Sequence, residues 1–150
     1  MSEVNPLNAM LKLALATAKS QHNFFLRTAE NSTMAEVKAL LMVLAESEEE
    51  MIQKIQHMMI TGILDEVQEL AAAKDKDETP DETPFDPSRT ESDPRIFVCN
   101  MALEKSIKTY TFYLTMATKT KSEVVSTLFE YLALLEMRQI KELRRICGTY

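Results

Sequence analysis

The sequence predicts an all-α protein of one domain, a four-helix bundle made of two similar antiparallel hairpins joined by a long connection. Three observations carry that expectation. The composition holds two glycines and no tryptophan, with abundant Leu, Ala, Met, Glu and Lys, which is helical usage. Displacing the chain by 88 residues lays 6–59 over 94–147 without a gap, and twelve positions are then identical. Eleven of those pairs are apolar or proline, among them Ala14/Ala102, Val37/Val125, Leu44/Leu132 and Ile52/Ile140, and the twelfth is Glu48/Glu136. Between the copies, 74–93 carries three prolines, a tandem Asp-Glu-Thr-Pro at 77–80 and 81–84, and little to bury, so it reads as a crossover without regular structure.

Each element has its own signals. Asn5-Pro6 and Asp93-Pro94 are matching helix starts, an N-cap side chain followed by proline at the first helical position. Leu7, Met10, Leu11, Ala14, Ala18, Phe25 and Ala29 then recur at helical spacing, giving a helix over 6–30. Thr33 and Glu36 have capping-box spacing for a second helix over 33–61, which ends near Gly62. A short amphipathic helix fits 63–73. The second hairpin repeats the plan with helices over 94–118 and 122–147, the last stopped by Gly148. The domain therefore divides into hairpin one at 6–61, a crossover at 62–93 and hairpin two at 94–148. A helix of about 26 residues is roughly 39 Å long, and twenty extended residues span at most roughly 66 Å. The connection can thus travel the length of a bundle, the plan of bundles with one long crossover.

Charge and cysteine content limit the function classes. Of the net charge of −6, the segment 74–93 holds eight acidic and three basic residues, or −5, leaving −1 for the remainder. No basic patch suits nucleic acid, no apolar run reaches membrane-span length, and no signal-peptide pattern opens the chain. A cytoplasmic protein is expected, with no membrane partner. Cys99 and Cys147 fall at the same end of an antiparallel pair; buried free thiols are the expectation, with a redox-sensitive pair as the alternative. Arg138, Lys141, Arg144 and Arg145 lie late in the last helix, where cations favourably meet the helix dipole, and an acidic partner is the alternative. The ten methionines read as core filler. Met and Leu positions beyond the needs of one core point to a homodimer.

Phe24-Phe25, Ala29 and Leu44-Ala45-x-x-Glu48, matched by Phe112-Tyr113, Ala117 and Leu132-Ala133-x-x-Glu136, resemble the rubrerythrin family of ferritin-like di-iron proteins. The resemblance covers both hairpins and implies a ferritin-like bundle. It also implies a ligand set: in each hairpin, a first-helix Glu seven residues before the second aromatic, and Glu-x-x-His on the second helix. Those positions fall here on Ala18 and Ser106, on Glu48 with Met51, and on Glu136 with Gln139. Only the two glutamates keep a ligand type, and the Cys-x-x-Cys pairs of a rubredoxin module are missing from the sequence.

His22, one turn after Ala18, and its counterpart Tyr110 are placed near the centre. The candidate metal residues are then Glu48, Glu136 and His22, and the candidate polar network adds Ser106, Tyr110 and Gln139. Two facing buried glutamates require a proton or a donor. His57 and the Glu46, Glu49, Glu50 group read as solvated surface. The expected function is a non-catalytic, rubrerythrin-like bundle with a degenerate di-iron site and a binding or structural role, with no cofactor. Two alternatives stand beside it. One is a metal-dependent oxidoreductase acting on peroxide or oxygen with iron or another divalent metal; the other is a bundle binding a small ligand in the emptied chamber.

Overall fold

A computed structural model describes residues 6–150 as five α-helices and one 3-10 turn, with no strand among them. The helices are α1 (Pro6–Glu30), α2 (Ala35–Thr61), α3 (Leu64–Ala72), α4 (Pro94–Lys119) and α5 (Glu123–Cys147). The chain is all-helical, and no described helix is long and apolar enough to cross a membrane. Helix α1 packs along α2, and α4 along α5. The two pairs meet where α2 lies against α4 and where α1 and α2 touch α5, while α3 covers another side of α5. Many repeat-equivalent positions are buried in both pairs, including Ala14/Ala102, Phe25/Tyr113, Leu40/Leu128, Ala45/Ala133 and Glu48/Glu136.

The helix ends follow local chemistry, with one exception. Asp93 accepts from the backbone N–H of Arg95 at 3.0 Å and is gripped by the guanidinium of Arg95 first and that of Arg89 second, which hold its carboxyl down to about 2. The matching cap at Asn5 lies outside the described residues. Ser122 caps α5 by accepting from Val125 N–H. Gly62 closes α2 with φ of +85°, a conformation that favours glycine. Gly148 closes α5 for a different reason: a Cβ there would meet the Arg144 carbonyl oxygen at 2.8 Å. The expected capping box of Thr33 and Glu36 does not form. Helix α2 begins at Ala35 after Met34, so Thr33 lies one residue too early, and Glu36 reaches across to Arg95 of α4 at 3.3 Å.

Two further expectations are corrected. Cys99 and Cys147 are joined in a disulfide rather than free, tying the first turns of α4 to the last turn of α5. The segment 74–93 also has more order than its composition suggests. It contains the 3-10 turn Pro87–Arg89, and it is fastened along α5. Arg138 makes a two-nitrogen contact with Asp75 at 3.0 Å, Lys141 pairs with Glu78, and Arg144 lies 3.4 Å from Asp81. Each pair is separated by 63 residues, so the crossover runs alongside α5 in one register, three residues per rung. The basic residues assigned to the helix dipole thus have an acidic partner within the chain. Beyond the rungs, Asn100 exchanges hydrogen bonds with both backbone groups of Phe85, and Arg89 donates to the Tyr150 carbonyl at 2.9 Å.

Closing a loop of 48 residues' separation restricts the unfolded chain. Reduction is therefore expected to lower stability by about 2–4 kcal/mol, measured by denaturant melts with and without reductant. The rungs are surface ion pairs and screen readily. Limited proteolysis should cut first within 75–84, and several-fold faster in about 1 M salt than at low salt. A cleavage rate within 75–84 that salt leaves unchanged would contradict the fastening described.

Candidate functional site

The apolar stripes of α2 and α5 are each interrupted by one carboxylate. Leu44, Ala45, Glu48, Met51, Ile52 and Ile55 are buried on α2; Leu132, Ala133, Glu136 and Ile140 are buried on α5. Helical spacing carries both glutamates inward with their apolar neighbours, leaving them 7% and 6% exposed. Neither has a hydrogen bond or ion pair among the described residues. Burial raises the Glu48 carboxyl to about 7. Burial pushes Glu136 well above the usual carboxylate range, and the charge of Glu48 pushes it further. The two therefore sense each other inside the protein.

A titratable group that senses both is Tyr113, buried and 4% exposed, whose hydroxyl is shifted upward by burial and then by the charges of Glu136 and Glu48. The sequence reading placed Tyr110 there instead. Tyr110 is half-buried, is raised by burial and by the charge of Glu82, and faces the crossover side. His22 likewise turns aside, its Nε2 lying 3.6 Å from Glu49 Oε2 at the protein surface. Helix geometry accounts for both. Seven residues from Ser106 returns a side chain to within about 20° of its starting direction, whereas four residues overshoots by about 40°. Tyr113 is seven residues on; Tyr110 and His22 are each four residues on from the reference position.

The remaining candidates contribute little to the pair. Ala18 and Met51 are buried apolar walls. Ser106 is half-buried. Gln139 turns to α2, donating to the Ser47 carbonyl at 3.3 Å, while its own amide oxygen is buried without a partner among the described residues. A third buried carboxylate, Glu66 on α3, was not anticipated; it is 6% exposed and one of its oxygens lacks a partner among the described residues. Its position three residues after Ile63 and four before Leu70, on the buried stripe of a short helix, was the available signal.

Among the described residues, no three His, Cys, Asp or Glu side chains come together as a metal-holding group. Chemically, the arrangement of two buried carboxyls beside a phenol favours retaining protons over holding charge. Comparison with protein-family models, with characterised proteins and with solved structures gave no match.

The pH consequence has a definite sign. The folded chain keeps on Glu48 and Glu136 protons that the unfolded chain releases above about pH 4.5, so stability falls as pH rises from there through about 7. For Glu48 alone the loss is on the order of 3 kcal/mol. The E48Q/E136Q double variant should match the parent in stability near pH 5 and exceed it near pH 8, read from denaturant midpoints across pH. A parent whose stability rises over that interval would contradict the burial of the pair as unpartnered acids.

Proposed function

We propose that this chain is a ferritin-like four-helix bundle of two repeated hairpins that serves as a non-catalytic binding or structural unit, its di-iron site degenerate. The observation that carries the reading is the isolated pair of buried carboxyls. The positions that would supply further ligands in a rubrerythrin-like site hold Ala18 and Met51, which offer no hard donor, and Ser106 and Gln139, which offer neutral oxygens in place of the carboxylate and imidazole of such a site. His22, the one imidazole within reach in sequence, is engaged with Glu49. The shared burial of repeat-equivalent positions supports the two-hairpin plan.

The disulfide bears on the compartment. Such bonds persist in oxidising surroundings or inside hyperthermophiles and form transiently as redox-sensing pairs in other cytosols, so a cytoplasmic location for this chain would be of one of the latter kinds.

The test is metal content together with metal dependence of folding. Protein purified without a metal-affinity tag is expected to carry well under one iron per chain, and its melting temperature to be unchanged by a chelator. About two iron atoms per chain, or a melting temperature that chelation lowers in the parent but not in E48Q/E136Q, would overturn the proposal and favour the oxidoreductase.

A further inference from the structure

A cleft of about 450 Å³ lies between the crossover, α3, α4 and α5, and neither Glu48 nor Glu136 is among its walls. That volume is within the range of small-molecule sites. Its floor is apolar, made by Val67 and Leu70 of α3, Leu114 of α4, and Leu134 and Met137 of α5. Leu114 is one of ten large apolar side chains left exposed among the described residues, at 40%, and it lines this space.

The rim has a sign. Asp77 and Glu78 of the crossover and Glu130 of α5 stand at the mouth with a single cation, Lys76. Glu78 is paired with Lys141, and Lys76 is turned to the Ala71 carbonyl. Asp77 and Glu130 have no counter-charge among the described residues. Tyr110 adds a hydroxyl on the α4 side. With three carboxylates set against Lys76 and the paired Lys141, the rim keeps a net charge of −1 over an apolar floor, which is complementary to a molecule with a hydrocarbon body and a cationic head. An anionic amphiphile of the same shape would meet the rim as like charge.

We propose that this cleft binds a small amphiphilic amine, its chain against Leu114, Leu134 and Met137 and its ammonium drawn to the acidic rim on which Asp77 and Glu130 stand. The site goes beyond the buried pair and stands or falls independently of the metal question. Because the crossover forms one wall, its ion-pair rungs to α5 hold the site in shape.

The experiment is titration calorimetry of the intact oxidised protein with n-octylamine, and with octanoate and 1-octanol as probes of charge. Octylamine is expected to bind more tightly than the other two. The exposed D77N/E130Q pair should weaken octylamine about threefold or more while leaving octanol unchanged. Ala71 is exposed and lines the mouth, so A71F should fill the cleft and weaken octylamine and octanol alike by about tenfold, with circular dichroism verifying the fold. Octanoate binding as tightly as octylamine would overturn the charge assignment. Binding insensitive to A71F, or no binding of any probe, would overturn the site.

Discussion

Residues 131–137 of α5 are buried without interruption, Glu136 included. A helix on the outside of a protein buries one stripe; a helix buried on all sides must be covered by neighbours in every direction. Here α4 lies along it as hairpin partner, α1 and α2 meet it from the other hairpin, α3 covers another side, and the crossover is fastened along its later turns. The rest of the architecture answers to that requirement. The connection between hairpins is long because it must reach and cover α5, and α3 is the part of it apolar enough to form a short helix with Leu70 facing inward.

Covering α5 also determines the electrostatics. Its later turns carry Arg138, Lys141 and Arg144, which would leave a strongly basic strip if exposed. The crossover supplies Asp75, Glu78 and Asp81 in matching order, and its backbone carbonyls at Asp81 and Thr83 accept from Arg144. Of the eight acidic residues of 74–93, Asp75, Glu78 and Asp81 meet these cations and Asp93 is held by Arg89 and Arg95, so half of that acidity is compensated within the chain. Asp77, Glu82, Asp86 and Glu91 of the crossover have no ion pair among the described residues, and Asp77, like Glu130 of α5, borders an apolar surface.

The helices were legible because periodicity and end signals act locally: Asp93-Pro94, Ser122 and Gly62 each perform at their own position the task their residue type suggests. The boundary of α2 was misread because Glu36 has a more distant partner in Arg95, which nothing local reveals. The disulfide is legible only as two cysteines that antiparallel packing brings to one end, because whether they join depends on compartment, a consideration outside the chain. The rungs of the crossover were written in the sequence as two series of charges spaced by three, yet a charge series is equally well satisfied by water or a helix dipole. At the buried pair, the two glutamates were legible as breaks in apolar stripes. Their companion was not, because a one-turn step looks closer along the chain than a two-turn step that in fact returns to the same face.

Both ends of the stability balance touch α5, one through Glu136 with Glu48 of α2 and the other through Cys147 with Cys99 of α4. Ionising Glu48 against its burial opposes folding by on the order of 3 kcal/mol at alkaline pH, and Glu136 adds to the same side. The Cys99–Cys147 bond restricts the unfolded chain by about 2–4 kcal/mol in the opposite sense. The two are of similar size and act through different states, the carboxyls on the folded form and the disulfide on the unfolded one. Oxidation can therefore hold the fold together at a pH where the buried pair works against it. In the reduced chain that offset is lost, and the folded state is then most exposed to loss wherever Glu48 and Glu136 are driven to ionise together.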